Sequence, residues 1–191
     1  MSRVRIIGAG LAGSEAAWQC ARRGIAVELC EMRPVRSTPA HQTADFAELV
    51  CSNSLKSDSP NTAPWLLKEE MRRAGSLLLE LARATAVPAG HALAVDRTAF
   101  AAKVTEALSR EPLITIRREE VTAIDENQLT IIATGPLTSD ALAAEISRLS
   151  QTQPDLEGSA PHSLYFYDSI SPIVEAGSLD MAKVYLAARY D

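Results

Sequence analysis

Three glycines near the N-terminus have the spacing of a phosphate-binding loop. Gly8, Gly10 and Gly13 form the pattern G-x-G-x-x-G, between a short apolar strand and an alanine-rich segment that predicts a helix. The first glycine permits a tight turn, the second lets a pyrophosphate approach the backbone, and the third lets the helix pack closely on the strand. The N–H groups and positive end of that helix would attract phosphate oxygens. The pattern predicts a dinucleotide site formed by Gly8, Ala9, Gly10, Leu11, Ala12 and Gly13.

An acidic residue after the next predicted strand supports this interpretation, because a glycine triplet alone is equally compatible with a plain tight turn. Residues 25–30 predict a second strand, and Glu31 follows it, 18 residues after Gly13. The acid that binds a ribose hydroxyl in dinucleotide domains stands roughly 20 residues after the glycines. Glu31 is therefore predicted to contact the ribose of a bound dinucleotide.

A cysteine in a polar segment is the candidate nucleophile. Cys51 lies within LVCSNSLKSD, with Lys56 five residues later. A nearby cation would lower the pKa of the thiol and favour a nucleophilic thiolate. From spacing alone, a structural role for Cys51 is the more common explanation. The segment belongs to a long proline- and serine-rich connection, residues 32–64; such a connection favours a ligand-contacting loop over the alternative, a mobile surface excursion.

Composition and charge narrow the class of protein. The 191 residues are 47% hydrophobic and 23% charged, with a net charge of −5, which fits a globular domain without a generally basic nucleic-acid-binding surface. No apolar run approaches the roughly 18 residues that would predict a membrane span. The three cysteines lack paired short spacing, so we expect neither a metal site nor a disulfide framework, and a cytoplasmic setting.

The elements that must position these residues follow from apolar periodicity and turn signals. After the β-α-β unit of residues 1–31, a helical turn is predicted at residues 46–50 and one continuous helix at residues 65–84. The apolar stripe of that helix, which includes Leu67, is expected to face the core, and its charged residues are expected to face solvent. Asp96 is predicted to cap the start of a helix that ends near Arg110. Thr138 or Ser139 is predicted to cap another helix that ends near Leu149. The predicted strands after residue 31 are Ala92–Val95, Leu113–Arg117, Val121–Asp125, Leu129–Ala133 and Leu164–Tyr167. The pattern at residues 181–190 fits either a helix or a strand.

This order of elements predicts an α/β fold. It is a Rossmann-like FAD-binding domain of the glutathione-reductase type, with parallel strands and an antiparallel meander over residues 113–133. Such a meander favours a flavin over a plain NAD domain, and its last strand would bring Ala133, Thr134 and Gly135 to the cofactor. Arg33 and Val121 are further predicted cofactor contacts. Residues 1–136 are assigned to this lobe and residues 137–191 to the beginning of a second, inserted domain.

Longer sequence runs carry a more specific resemblance. They are GAGLAGSEAAWQ, CEMRP, PAHQTADFAELVCSNSLKSD, LLKEEMR, VPAGHALAVDR, IIATGPLTS and LYFYDSISPIV. The chain resembles, nearly end to end, the TrmFO (Gid) family of folate- and FAD-dependent tRNA (uracil-5-)-methyltransferases. The larger Gid A-type tRNA-modifying flavoproteins share the glycine loop but are not matched by these runs.

The resemblance implies a reaction and its partners. A one-carbon unit would pass from methylenetetrahydrofolate, by way of FAD, to C5 of a uridine in the T-arm of tRNA, with NAD(P)H as reductant. Cys51 would be the first of two family cysteines, acting either on the uracil or at the flavin. We expect Asn53, Lys56 and Arg97 to contact substrate. The resemblance also implies an N-terminal fragment, truncated before the return segment that completes the FAD domain and before the second cysteine.

Two other classes of function remain open at this stage. One is an FAD- or NAD-dependent oxidoreductase of a small molecule, which would use the glycine loop and Glu31 but leave residues 32–64 without a role. The other is a nucleotide-binding module without catalytic activity. Retention of tRNA in a gel-shift assay would distinguish the methyltransferase from both.

Overall fold

A parallel β-sheet forms the centre of the fold in the computed structural model, which describes residues 3–151 together with residues 180 and 183. In chain order its elements are β1 (Arg3–Ile7), α1 (Leu11–Ala21), β2 (Ala26–Glu31), β3 (Ser54–Ser57), α2 (Ala63–Arg73), α3 (Leu77–Ala84), β4 (Ala86–Val87), β5 (Ala92–Val95), α4 (Arg97–Arg110), β6 (Ile114–Arg118), β7 (Thr130–Ile132), a 3-10 turn (Gly135–Leu137) and α5 (Asp140–Gln151). The main sheet has the order β6-β2-β1-β7, with all neighbouring strands parallel. A smaller antiparallel sheet has the order β3-β5-β4.

Alternating apolar residues place the main core on one face of the parallel sheet. Val4 and Ile6 of β1 are buried beside Val27 and Leu29 of β2, their partners in register. This face packs against α1, α3 and α4, whose buried residues belong to the same apolar cluster. Alternation is expected of strands because successive side chains point to opposite faces. The parallel sheet and its β-α-β unit confirm the predicted Rossmann-like α/β fold.

The predicted antiparallel meander is not formed at residues 113–133. The first and last of its strands, β6 and β7, instead join opposite sides of the parallel sheet, β6 beside β2 and β7 beside β1. The middle strand expected at residues 121–125 is irregular chain. The interpretation failed because short loops suggested hairpin pairing, whereas β6 and β7 form parallel pairs with β2 and β1, which are distant in the sequence. Antiparallel pairing among the described residues occurs in the β3-β5-β4 sheet.

The helix predicted at residues 65–84 is two helices. Gly75 has a φ of 74°, and the chain restarts at Ser76, whose hydroxyl accepts a hydrogen bond from the N–H of Leu79 at 3.3 Å. The positive φ stops α2, because only glycine adopts it readily. The break changes the helical phase, so Leu67 is 59% exposed instead of lying in the core.

Three further predictions concern local structure. Residues 46–47 form a turn and not the predicted helical turn at residues 46–50, and β3 lies inside the connection that was expected to lack strands. Helix α5 starts at its predicted cap, where the hydroxyl of Ser139 accepts from the N–H of Leu142 at 3.4 Å. The strand predicted at residues 164–167 and the undecided segment at 181–190 lie outside the described residues.

The second face of the sheet carries a smaller apolar cluster. Leu142 of α5 is buried there against Ile7, Cys30 and Val121. The first turns of α5 therefore pack on the sheet that holds the glycine loop. The division of the chain at residues 136 and 137 stays a prediction.

Candidate functional site

A cleft opens at the carboxyl ends of β1, β2 and β7, beside the glycine loop. It contains about 570 Å³ of empty space that is continuous with solvent. It lies on both sides of β1, whose neighbours in the sheet are β2 and β7. Ligands of open α/β sheets bind at the carboxyl ends of the strands where the chain turns to opposite sides of a central strand. The predicted cofactor residues that line the cleft are Gly8, Gly10, Glu31, Arg33, Val121, Ala133 and Thr134.

Two of the three glycines in the loop are required by the protein itself. Gly8 has a φ of 96°, and a Cβ there would lie 2.8 Å from the carbonyl oxygen of Ala133. A Cβ on Gly13 would lie 1.8 Å from the carbonyl oxygen of Gly8, so this glycine lets α1 pack closely on the loop. These are the turn and close-packing roles that the spacing predicted.

Gly10 differs from the other two glycines in that no part of the protein occupies the space beside it. Its φ of −71° is available to any residue, and a Cβ would meet no heavy atom within 4 Å. Helix α1 starts immediately afterwards, with no side-chain cap and no acidic residue in its first turn. The first N–H groups of a helix lack partners within the helix. Gly10 and the start of α1 thus leave a cradle of the shape and polarity that a pyrophosphate requires.

Glu31 ends β2 and faces the glycine loop. One carboxylate oxygen, Oε2, accepts the N–H of Ala9 at 2.9 Å, and the other, Oε1, accepts the Nε–H of Arg33 at 2.9 Å. Burial would raise the pKa of Glu31, but the hydrogen bonds and charge of Arg33 and the N–H of Ala9 outweigh burial and lower the pKa below its ordinary value. Glu31 is therefore ionised at neutral pH and supports the loop from within.

Arg33 connects Glu31 to the connection that follows β2. Its side chain is 4% exposed, and besides Glu31 it binds a carboxylate oxygen of Glu48 at 3.0 Å and the carbonyl oxygen of Thr43 at 3.2 Å. These contacts turn its guanidinium toward the protein. The structure thus gives Arg33, predicted as a cofactor contact, a bridging position at the edge of the cleft.

The segment after β7 closes the other side of the cleft. The N–H of Ala133 donates to the carbonyl oxygen of Ile7 at 2.8 Å, so this end of β7 lies against the glycine loop. The hydroxyls of Thr134 and Thr138 are hydrogen-bonded to each other at 2.5 Å. Gly135, which does not line the cleft, has a φ of 63° and turns the chain toward α5. The apolar-strand-to-glycine pattern therefore correctly placed Ala133 and Thr134 beside the loop.

The remaining predicted loop residues lie behind or beside the cleft. Ala9 and Gly13 are buried, while Leu11 and Ala12 are exposed at the first turn of α1. Their backbone N–H groups, and not their side chains, are the parts that a phosphate would contact.

Cys51 lies in a different part of the surface, beside a second cleft. Cys51 is exposed. Its neighbour Val50 lines this second cleft together with Arg97 of α4. Asn53 is held against β5, because its side-chain amide donates to the carbonyl oxygen of Val95 at 3.2 Å. Lys56 is exposed, with a φ of 67°. The structure thus places Arg97 and Val50, the neighbour of Cys51, at the second cleft, and neither Cys51 nor Arg97 lines the first.

Several residues of the first cleft were not predicted from the sequence. They are Thr38, His41, Glu119, Glu120, Thr138 and Ser139. The ring nitrogen Nδ1 of His41 lies 2.6 Å from the hydroxyl of Thr38, and burial and the charge of Arg33 lower the pKa of His41. These residues come from irregular connections, where no periodicity marks a shared face. The run PAHQTADFAELV, which carries part of the family resemblance and contains His41, is the sequence signal that could have identified this residue.

The described residues contain neither a membrane-spanning helix nor a metal-binding cluster. In residues 3–151, no helix is long and apolar enough to cross a membrane. In the same part of the chain, no group of three or more His, Cys, Asp and Glu residues is arranged to hold a metal ion.

Comparison with known proteins identifies close relatives. A protein of Koribacter versatilis is 72% identical over 190 residues, which cover 99% of this chain and 41% of the relative. Proteins of Solibacter usitatus and Streptococcus sanguinis are 60% and 57% identical, over 98% and 100% of this chain. All three are named methylenetetrahydrofolate--tRNA-(uracil-5-)-methyltransferase TrmFO, which confirms the resemblance found in the sequence motifs. The chain spans about 41% of the length of the first of these relatives.

A solved structure shares the fold of this chain, and a family model matches its sequence. Aquifex aeolicus GidA matches with a TM-score of 0.56 at 16% identity, over 70% of this chain and 25% of that protein, which supports the fold alone. The family model described as "Glucose inhibited division protein A" matches residues 3–191. The chain therefore belongs to the glucose inhibited division protein A family.

Proposed function

We propose that the natural protein that carries this sequence is an FAD-dependent methyltransferase that uses methylenetetrahydrofolate to methylate C5 of a uridine in the T-arm of tRNA. The names of relatives at 57–72% identity support the reaction. The main structural support is the empty space beside Gly10. Neither the backbone conformation nor packing within the protein requires a glycine at this position. NAD(P)H is the proposed reductant, and the cytoplasm is the proposed location.

The first cleft is the proposed FAD site. The backbone at Gly10 and the N–H groups of Leu11 and Ala12 would hold the pyrophosphate. Glu31 would accept a ribose hydroxyl through Oε2, which has one hydrogen bond from the protein and a second lone pair. Ala133 and Thr134 would border the nucleotide on the opposite side. When bound, FAD supplies the redox centre and the carrier for the one-carbon unit.

Cys51 is the proposed nucleophile toward uracil. C5 of uracil is a poor nucleophile until a thiolate adds at C6, because the S–C6 bond pushes the C5=C6 electron pair toward O4 as an enolate. That enolate would form a bond from C5 to the one-carbon unit, and the bond between that carbon and its carrier would break. Because the unit is at the oxidation level of formaldehyde, a hydride equivalent that derives from NAD(P)H would complete the methyl group. Loss of the C5 proton and cleavage of the S–C6 bond would restore the aromatic base and the thiolate. Exposure of Cys51 leaves room for a base to approach.

Methyl transfer is the direct test of this function. The natural protein would be incubated with methylenetetrahydrofolate labelled in its one-carbon unit, NADPH or NADH, and an unmodified tRNA transcript. We expect label in 5-methyluridine after nuclease digestion, and at least a 1,000-fold lower rate in Cys51→Ala. Cys20→Ala, on the half-buried side of α1, is the matched control and should keep the rate of the unmodified protein.

A mass measurement distinguishes the two roles of Cys51 that the family resemblance leaves open. A tRNA containing 5-fluorouridine cannot lose a proton from C5, so attack on uracil would trap a covalent complex between the protein and the tRNA. We expect that complex in the unmodified protein and not in Cys51→Ala. A complex that persists in Cys51→Ala would assign the attack to another residue and leave Cys51 an auxiliary role at the flavin.

The second domain of the natural protein is proposed to begin within residues 137–191. Packing of Leu142 on the sheet indicates that the start of α5 still contacts the first lobe. Limited proteolysis of the natural protein should leave residues 1–136 protected together with the packed helix α5, and should cut first beyond α5.

A further inference from the structure

We propose that Glu48 is a positioning residue that ties the Cys51 segment to the cofactor loop through Arg33 and Glu31. The inference rests on the proposed function, because it treats the first cleft as the FAD site and Cys51 as the nucleophile. It adds a link between the two that no spacing in the sequence indicates.

The link begins at the glycine loop. The N–H of Ala9 donates to Glu31 Oε2, and Glu31 Oε1 accepts both the backbone N–H of Arg33 at 3.1 Å and its Nε–H at 2.9 Å. The same guanidinium donates from its terminal nitrogen to Glu48 Oε2 at 3.0 Å. A second connection runs directly between backbones, because the N–H of Ala47 donates to the carbonyl oxygen of Ala9 at 2.9 Å. Glu48 is thus fixed to the loop by two routes.

Glu48 uses both carboxylate oxygens to hold its own segment. Oε1 accepts the N–H of Gln42 at 2.9 Å, and Oε2 accepts the N–H and the hydroxyl of Thr43 at 3.1 and 2.9 Å. With Arg33, four donors converge on this one side chain, which is 13% exposed. A side chain that only balanced the charge of Arg33 would not need three contacts from residues 42 and 43. The arrangement closes residues 42–48 into a loop with fixed geometry.

This loop lines the second cleft and directly follows His41, which lines the first. Arg33 and His41 line the first cleft, whereas Gln42, Thr43 and Glu48 line the second. Cys51 follows Glu48 by three residues, so their Cα atoms are at most about 11 Å apart even in a fully extended chain. A shift of the Arg33–Glu48 pair would therefore move both the border of the FAD site and the start of the Cys51 segment.

Substitution by glutamine tests the link with little change in shape. The amide of Glu48→Gln has one acceptor atom in place of two, and its NH₂ group would face N–H donors. Arg33 would lose its second carboxylate but keep Glu31, so the proposal predicts that FAD remains bound. Release of residues 42–48 would then affect Cys51 more than the cofactor.

The primary readout is the reactivity of Cys51 and does not depend on turnover. The natural protein, with and without FAD, would be treated with iodoacetamide, and alkylation of Cys51 would be followed by peptide mass spectrometry. We expect FAD to slow alkylation of Cys51 at least threefold in the unmodified protein and less than 1.5-fold in Glu48→Gln. Equal effects of FAD in both proteins, or no effect of FAD in the unmodified protein, would overturn the proposal.

Steady-state kinetics provide a second readout that a purely structural role would not give. We expect Glu48→Gln to lower kcat for tRNA methylation about tenfold or more, with less than a threefold change in FAD affinity and in KM for the folate. Glu48→Asp, which keeps the charge, should recover part of kcat. Glu106→Gln is the matched control, because Glu106 pairs with Arg110 at 2.6 Å on the surface of α4. An FAD affinity that falls as far as kcat would contradict a positioning role.

A milder variant keeps the proposal testable if Glu48→Gln does not fold. Thr43→Val removes one hydroxyl donor to Glu48 and preserves side-chain shape, so it should show the same change in Cys51 reactivity at a smaller size. The alkylation result also separates this inference from the proposed function. A protein that methylates no tRNA but shows the FAD-dependent, Glu48-dependent protection of Cys51 would refute the function and leave the link intact.

Discussion

At the scale of single residues, the three glycines of one motif have different physical reasons to be glycine. Gly8 and Gly13 are required by the polypeptide, since a Cβ at either would contact backbone atoms at 2.8 or 1.8 Å. Gly10 has neither an unusual φ nor a close neighbour. The structure confirms the turn and close-packing roles predicted for Gly8 and Gly13, whereas the pyrophosphate contact predicted for Gly10 stays a prediction.

This separation predicts opposite results for two alanine substitutions. Gly13→Ala should lower the free energy of unfolding by about 3 kcal/mol or more, because the helix must move away from the loop. Gly10→Ala should leave that free energy within about 0.5 kcal/mol, or raise it slightly, and should weaken FAD binding at least tenfold. Urea denaturation and fluorescence titration with FAD measure the two quantities. Unchanged FAD affinity in Gly10→Ala would contradict the assigned pyrophosphate position.

The two carboxylates that pair with Arg33 predict how stability depends on pH. Burial would raise the pKa values of Glu31 and Glu48, but the hydrogen bonds they accept, with the charge of Arg33 for Glu31, outweigh burial and lower both. Their stabilising contribution is present above the unfolded-state pKa, about 4.3, and is lost as pH falls through the lower folded-state values. His41, whose pKa burial and Arg33 lower, adds a smaller decline that starts near pH 6.5.

Denaturation in urea between pH 3.5 and 8 checks this dependence. The free energy of unfolding should fall with decreasing pH in two stages, near pH 6.5 and below about pH 4.5. His41→Gln should remove the first stage, and Glu48→Gln should reduce the second. A free energy that rises as pH falls below 4.5 would contradict the assigned ion pairs.

At the scale of elements, a buried lysine joins α2 to the small sheet. Lys68 is 5% exposed, and its ammonium donates to the carbonyl oxygens of Leu55 and Ser57 at 2.9 and 2.7 Å. Burial lowers the pKa of this amine. The apolar stripe predicted for α2 missed this contact, because it assigned the charged residues to the solvent side and Leu67 to the core.

Removing that ammonium should loosen β3, the strand that follows the Cys51 segment. Lys68→Met should cost about 2–3 kcal/mol of unfolding free energy, because a charge-assisted hydrogen bond contributes about 1.5–3 kcal/mol and the two carbonyl oxygens lose their donor. Lys103→Met on the exposed face of α4 is the matched control and should change the free energy by less than about 0.5 kcal/mol. A small effect at both positions would show that β3 is held by its strand pairing alone.

At the scale of the whole molecule, local sequence patterns predicted which residues form strands better than they predicted which strands pair with each other. The β-α-β unit, the bounds of β6 and β7 to within one residue, and the extent of α4 followed from alternation, periodicity and the Asp96 cap, which accepts the N–H of Ala99 at 2.9 Å. Strand pairing depends on contacts distant in the sequence, such as Arg5 of β1 beside Thr130 of β7. Short loops do not encode that choice, so the predicted meander was wrong.

The residues of the candidate site also fall into those that the sequence predicted and those that it did not. Residues within the glycine motif and at the end of β7 could be predicted, because each lies next to a strand end that the sequence marks. Arg33, Glu48 and His41 come together through a connection with no periodicity, and their contacts depend on where residues 32–53 lie on the folded core. The proposed link to Cys51 rests on these contacts, so the glycine motif could not predict it.

The identity and amount of bound nucleotide test the central claim most directly. The natural protein would be purified without added cofactor, denatured in acid, and the released small molecules identified by mass and absorbance. We predict FAD at close to one equivalent per protein, and less than a tenth of that from Gly10→Ala purified in parallel. Release of no flavin, or of NAD in its place, would contradict the assignment of the cleft beside Gly10 as an FAD site.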